Sequence, residues 1–253
     1  MSSKITHVLV CLLPLGGCAP DVSLARESNA CTQLMRLPDA PVIDGTLEPG
    51  LALQPLPRRG WNTSAPFPED FVARYAMAWR PDGLYAFVQI TTPRVQASVI
   101  PNLFCGDAVE LFVDADGTFS QAPAYDAPGA VQIVIPAPAS NSDSEVADLY
   151  RTYERLGPWS QPSLVARRTT DGYVVEALVT ASALGLAAWA PSGKVAFNIA
   201  IDVSGMPGAS RDFACEGRLG QFALRVDPGA NPGACALPYC NLQSFCTASL
   251  QNP

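Results

Sequence analysis

Phe71-Val72-Ala73-Arg74-Tyr75-Ala76-Met77-Ala78-Trp79-Arg80-Pro81-Asp82-Gly83-Leu84-Tyr85-Ala86-Phe87-Val88-Gln89-Ile90 is the stretch that decides the fold class. In its first half Phe71, Ala73, Tyr75, Met77 and Trp79 fall on one side and Arg74 and Arg80 on the other, the two-residue period of a half-buried strand. Pro81-Asp82-Gly83 supplies a turn, with Gly where a positive φ is cheap, and Leu84–Ile90 supplies the partner strand. The pair reads as an antiparallel hairpin.

Working outward, further strands are predicted over Ala108–Val113, Ala130–Ile135, Tyr173–Val179, Val195–Ile201 and Gln221–Val226. Each is short, β-branched or aromatic, and bounded by Gly, Pro, Asp or Ser. One helical turn is predicted around Ala181-Ser182-Ala183-Leu184, with Thr180 as its cap and Gly185 at its end. Alternating β and α units are missing, so a parallel α/β sheet is disfavoured. The expected class is all-β, an antiparallel jelly-roll-like β-sandwich.

Composition agrees. The chain has 253 residues, of which 48% are hydrophobic and 15% charged, enough for a sizeable core. Its 24 Pro and 19 Gly are scattered as turn punctuation, against a helical bundle. Lys+Arg 16 against Asp+Glu 23 gives a net charge of −7, so the basic footprint of a nucleic-acid binder is missing.

The N-terminus reads as an export signal over residues 1–17, with Lys4 ahead of the apolar run Val8–Leu13, too short to span a bilayer. Leu15-Gly16-Gly17-Cys18 resembles the lipobox of bacterial lipoproteins, which would make Cys18 the lipidated first residue of the mature chain; the alternative is an ordinary secretory signal with an incidental Cys18. Residues 18–30 would be a polar tether, and Ala19 after the Cys resembles lipoproteins sent to the outer membrane. The expected location is extracytoplasmic, at the cell envelope, with the membrane contacted only through the anchor.

Six cysteines remain, Cys31, Cys105, Cys215, Cys235, Cys240 and Cys246, an even set in a compartment that oxidises thiols. Three disulfides are expected, with Cys105 to Cys215 as the suggested pair because each lies just ahead of a predicted strand. A metal site in the Cys235, Cys240, Cys246 cluster is the competing reading, but short paired spacings and a His in the mature chain are lacking. Residues 31–226 form the expected sandwich. Residues 227–253 contain no strand-length run and are expected to lie over it, held by disulfides.

Several segments together resemble the family 9 carbohydrate-binding modules. These are Pro41-Val42-Ile43-Asp44-Gly45, Trp61, Met77 through Tyr85, Gly106-Asp107-Ala108-Val109-Glu110-Leu111-Phe112-Val113-Asp114, Tyr173 through Ala177 with Leu184-Gly185, Phe197 through Asp202, and Gly220-Gln221-Phe222. The order of pieces matches over about Pro41 to Val226. The resemblance implies a jelly-roll-like sandwich that binds polysaccharide ends of the xylan or cellulose type, with structural calcium in some members and frequent residence beside glycoside hydrolases.

Sugar recognition needs an aromatic face against the C–H face of the ring, with carboxylates, amides or Arg meeting the hydroxyls. Trp61 and Trp159 lie in polar or Pro-rich stretches and are the candidate platforms, although Trp61 could equally plug one end of the sandwich. Trp79 and Trp189 are expected in the core. Glu110 should point away from Val109, Leu111 and Val113, sharing a face with Asp107, Phe112 and Asp114, and is the candidate polar ligand. Asp114 and Asp116 before Gly117 have the spacing of half a calcium loop, the alternative being a β-turn with solvated acids. No cofactor is required.

A glycosidase using Glu110 and Glu176 as its acid and nucleophile is the disfavoured alternative, because no other hydrolytic motif is present. An envelope interaction module is the alternative from a different class. The expectation is therefore non-catalytic carbohydrate binding, serving carbohydrate catabolism. Feeding a radiolabelled fatty acid to expressing cells should label this protein and not its Cys18→Ala variant; equal labelling of both would eliminate the lipobox.

Overall fold

The hairpin forms in the register the alternation predicts, from Val72 opposite Thr91 to Arg80 opposite Gly83. Gly83 is required for a different reason from the one expected. A Cβ there would lie 2.6 Å from the carbonyl oxygen of Val179, so close backbone approach, and not a positive φ, selects glycine.

The computed structural model describes residues 33–60, 67–97, 103–115, 129–140, 143–151, 154–159, 163–184, 186–187, 189, 193–205, 218–226 and 244–251. Its strands are β1 (Met35–Arg36), β2 (Gln54–Pro55), β3 (Val72–Arg80), β4 (Gly83–Thr91), β5 (Ala108–Asp114), β6 (Ala130–Pro136), β7 (Ala147–Arg151), β8 (Glu154–Trp159), β9 (Leu164–Thr169), β10 (Gly172–Thr180), β11 (Lys194–Ser204), β12 (Arg218–Ala223) and β13 (Cys246–Ser249). The first sheet runs β1-β3-β4-β10-β9, with β2 also on β3. The second runs β12-β11-β5-β6-β7-β8, with β13 also on β11. All strand pairs are antiparallel except β1 with β3. The class is all-β and the architecture a two-sheet sandwich, as expected.

Alternation places the core between the sheets. Ala73, Tyr75 and Trp79 of β3, Val109, Leu111 and Val113 of β5, and Ile133 and Ile135 of β6 share one buried cluster with Val175 and Ala177 of β10 and Phe197, Ile199 and Ile201 of β11. Isolated bridges close the flanks: Leu34 with Leu250, Arg59 with Ala223, and Ser144 with Ala166.

The outer face of the first sheet is covered too. Ala76, Ala78, Tyr85, Phe87 and Val174 form a second apolar cluster, onto which Ile43, Leu47, Leu51 and Leu53 of the segment ahead of β2 pack. Glu176 pins that segment. Its Oε2 accepts hydrogen bonds from the backbone N–H of Asp44 (2.8 Å) and Gly45 (2.6 Å), and its Oε1 accepts one from the Tyr85 hydroxyl (2.8 Å). Gly45 sits at φ 81°, a conformation that a side chain makes costly. Burial pushes the Glu176 carboxyl above its ordinary range, against the pull of these donors.

Three expectations are corrected. Residues 181–184 form a hydrogen-bonded turn, closed by Leu184 N–H to the carbonyls of Thr180 and Ala181, and not a helix. One N–H shared between two carbonyls, without a propagating ladder, is too little to nucleate one. The C-terminal segment does carry a strand, since β13 extends the edge of β11 from Lys194 to Phe197. The strand predicted over Gln221–Val226 is β12, which starts earlier, at Arg218, and ends at Ala223.

Replacing Glu176 with Ala would remove the acceptor of two part-buried backbone donors and of the Tyr85 hydroxyl, which would keep only its bond from Glu48 N–H, each lost bond costing about 1–3 kcal/mol. Equilibrium urea denaturation should show a loss of about 3 kcal/mol or more. A change under about 0.5 kcal/mol would contradict the role given to this carboxylate.

Candidate functional site

β5 divides its side chains as predicted. Val109, Leu111 and Val113 enter the core, while Ala108, Glu110, Phe112 and Asp114 face outward from the second sheet. Asp107 departs from the expectation: it precedes the strand and does not share that face with Glu110. The register brings three more polar groups beside Glu110. Gln132 on β6 lies opposite Tyr150 on β7, which lies opposite Arg155 on β8. Gln132 Nε2 donates to Glu110 Oε2 at 2.9 Å. Arg155 donates through Nε and Nη2 to both oxygens of Asp148, at 2.8 and 2.7 Å. The Arg155 side chain is 43% exposed although its partner carboxylate is buried, so this bidentate pair presents its cationic head to water at the sheet edge. The Tyr150 hydroxyl is held above its ordinary range, first by burial and then by the Asp148 charge, with Arg155 pulling the other way.

Phe104 completes the row. It sits in the 3-10 turn Leu103–Cys105, half-buried, packed against Leu103, Ala108, Val134 and Tyr150. The turn is fixed through Asp107, whose Oδ2 accepts from Gln96 N–H (2.8 Å) and whose Oδ1 accepts from Ser204 N–H (2.6 Å). The Asp107 carbonyl accepts from Ala137 N–H at 2.8 Å, and Ser204 Oγ donates to the Cys105 carbonyl at 3.3 Å. On this outer side of the sheet Glu110 (2% exposed), Gln132 and Tyr150 are buried, and of the row only the half-buried Phe104 ring and the Arg155 guanidinium reach solvent. Rings offer an apolar surface to C–H groups, while the polar groups can donate to and accept from hydroxyls.

The residues singled out from sequence are distributed unevenly. Glu110 is in the row. Trp159 is not a platform: it ends β8 at 3% exposure, inside the main core, because the register shift between Leu149 and Tyr150 reverses the parity of β8 after Arg155 and sets Trp159 opposite the core residue Ala147. Its indole Nε1 has no hydrogen-bond partner. Trp79 and Trp189 are buried as expected. Asp114 is buried at the end of β5 on the outer face, whereas Trp61 and Asp116 lie outside the described residues. Among the described residues no three His, Cys, Asp or Glu side chains gather as a metal site. Glu110 and Glu176 sit on the outer faces of opposite sheets, with the whole core between them. Sheets stack about 10 Å apart, so the two carboxylates are too far apart to flank one glycosidic bond at the required separation of about 5–9.5 Å. Phe104, Tyr150 and Arg155 were missed by the sequence reading. The available signal for Phe104 was an aromatic residue in the short non-strand stretch Leu103-Phe104-Cys105-Gly106.

Cys105 and Cys246 are both in disulfide form. They belong to different bridges, because Cys105 adjoins Ser204 while Cys246 pairs with Phe197, seven residues along β11 and about 23 Å away at strand rise. Cys18, Cys31, Cys215, Cys235 and Cys240 lie outside the described residues.

Two comparisons returned nothing: no family model matches the sequence, and no curated protein matches it. Solved structures do match. A family 9 carbohydrate-binding module from Caldicellulosiruptor kristjanssonii, in complex with cellotriose, superposes with a TM-score of 0.58 at 15% identity, covering 88% of this chain and 95% of that one. In fold, the chain is similar to the family 9 carbohydrate-binding modules. The same module with glucose gives a TM-score of 0.56 at 15% identity, covering 87% and 96% of the two chains. A Bacteroides uniformis protein described as a candidate carbohydrate binder gives 0.51 at 12% identity, covering 88% and 99%. The family 9 likeness thus covers the sandwich and not merely one sheet.

Burial holds the Asp107 carboxyl at about 6, above its ordinary 3.8, against two backbone donors. A folded-state value above the unfolded one means that the folded protein keeps this proton between about pH 4 and 6 while the unfolded chain releases it. Stability from this group therefore rises as pH falls through that window and is lost as pH climbs past 6. The urea midpoint should rise from pH 7 to pH 5 by more in this protein than in its Asp107→Asn variant; identical slopes would contradict the assignment.

Proposed function

We propose that the protein is a non-catalytic carbohydrate-binding module that holds a neutral polysaccharide of the xylan or cellulose type against the outer face of its second sheet. The observation that carries this reading is the row formed by Phe104 and Tyr150 beside the Glu110–Gln132 pair and the exposed Arg155 head. Its occurrence in a fold similar to that of modules solved with cellotriose and glucose supports it. In the proposed mode the half-buried Phe104 contacts the C–H face of a sugar ring and the exposed Arg155 donates to hydroxyls, while the buried Tyr150 and the Glu110–Gln132 pair support them from beneath.

The ligand is taken as uncharged because the exposed Arg155 is already paired with Asp148 and the chain's net charge of −7 disfavours uronate-rich polymers. Trp61 is proposed as a further ring and Asp114 with Asp116 as a calcium position, both on the sequence grounds given above; binding itself needs no cofactor. Anchored through Cys18 at the cell envelope, with Cys105 and Cys246 each bridged to one of Cys31, Cys215, Cys235 and Cys240 and the remaining two bridged to each other, the module would retain polysaccharide for catabolism.

Isothermal titration of the purified protein with cello- and xylo-oligosaccharides tests the reading. Phe104→Ala should weaken binding by about tenfold, since loss of a ring contact costs on the order of 1–1.5 kcal/mol, and Tyr150→Ala should weaken it by removing the support beneath Phe104. Trp159→Phe should leave affinity unchanged in a folded protein. Wild-type affinity in both ring variants would overturn the proposal.

A further inference from the structure

β3 has an incomplete outer edge. β1 pairs with it at Ala78 and Trp79, and β2 pairs with it at Tyr75 and Arg74. Among the described residues Ala76 and Met77 between them face no strand on that side. Behind this gap lies a cavity of about 220 Å³. The buried Phe197 of the second sheet and Tyr75 line it together with Met35 and Met77, and its exposed lining includes Gln33 and Gln54. Gln33 Oε1 accepts from Gln251 Nε2 at 3.2 Å, which leaves its amide NH₂ as a donor.

We infer that this notch is a second saccharide site, taking a single uncharged pyranose ring. Its volume is on the scale of one hexose and lies below the ~300 Å³ at which pockets for larger organic ligands begin. Among the described residues no charged side chain lines it, so an ionic ligand would lose its hydration without gaining a counter-charge. Tyr75 and the thioethers of Met35 and Met77 offer polarizable surfaces to C–H groups, and the two glutamine amides offer both donors and acceptors to hydroxyls at the open end. Met35 is 39% exposed, so a wall of the notch is reached directly from solvent. The notch lies at the β1–β3 edge of the first sheet, whereas the Phe104–Tyr150 row lies on the outer face of the second, so one molecule can fill both.

Ala52 lines the notch from an exposed position, and Ala52→Trp would fill it without disturbing the core. The experiment is a titration of protein labelled at methionine methyl carbons with D-glucose, followed by NMR. The Met35 and Met77 methyl signals should move with saturable dependence on glucose, stop moving in Ala52→Trp, and move unchanged in Phe104→Ala. Gln54→Ala, a second exposed change, should weaken the response several-fold. Methyl signals that stay still in the wild type, or that still move in the plugged variant, would overturn the second site. So would a response to benzene with none to glucose, which would mark the notch as an apolar void. Aromatic signals of Phe104 and Tyr150 in the same titration report the first site separately, so failure of one reading is distinct from failure of the other.

Discussion

A buried carboxylate holds the first sheet closed on its outer side. Glu176 lies on β10 with no exposure and accepts three hydrogen bonds, two of them from the main chain of a segment more than 130 residues earlier. Those bonds set the segment carrying Ile43, Leu47, Leu51 and Leu53 over Tyr85, Phe87 and Val174, which would otherwise present a continuous apolar patch to water. The same segment then runs through Gly50 and Ala52 into β2, so the shape of the notch beside Met77 also depends on this attachment. An antiparallel sheet commonly leaves one face wet; here the sequence of the outer face and the strap that covers it form one unit.

Much of the architecture was readable because alternation is a local signal. Phe71 to Ile90 shows its period without any knowledge of partners, and Val109, Leu111 and Val113 announce the inward face of β5 in the same way. The elements that were missed lack that signal. β8 contains Gly157, which weakens a strand pattern, and Pro158, which a sheet tolerates at an edge, and β8 is the edge strand of its sheet. β9 carries Arg167 and Arg168 ahead of its last residue, Thr169, and their charges are met by Asp143 and by the carbonyls of Pro138 and Val95, partners far off in sequence. β13 is four residues long and exists because β11 extends past the end of β12 and offers an unfilled ladder.

The candidate row was legible only in part, for a related reason. Glu110 could be placed on an outer face by parity alone. Its companions come from three other elements, and which of their residues stand abreast is settled by register, which a single sequence does not display. Trp159 illustrates the converse error. Pro158 and Gly157 suggested a loop and hence an exposed ring, yet they belong to an edge strand whose last residue turns into the core. The likeness to sugar-binding modules at 15% identity or less is a likeness of scaffold. On such a scaffold the occupant is decided by the few side chains on its faces, here rings and acids without a metal cluster among the described residues.

The bridge between Leu34 and Leu250, together with the Gln33 to Gln251 hydrogen bond at 3.2 Å, brings the two extremities of the described chain to one corner. A circular permutant that fuses Gln251 to Gln33 through a short Gly-Ser joint, and opens the chain at the exposed Pro81-Asp82 turn, would keep every ladder except the tight reversal between β3 and β4. The native order of segments along the polypeptide is therefore one of several that the same sandwich can accept.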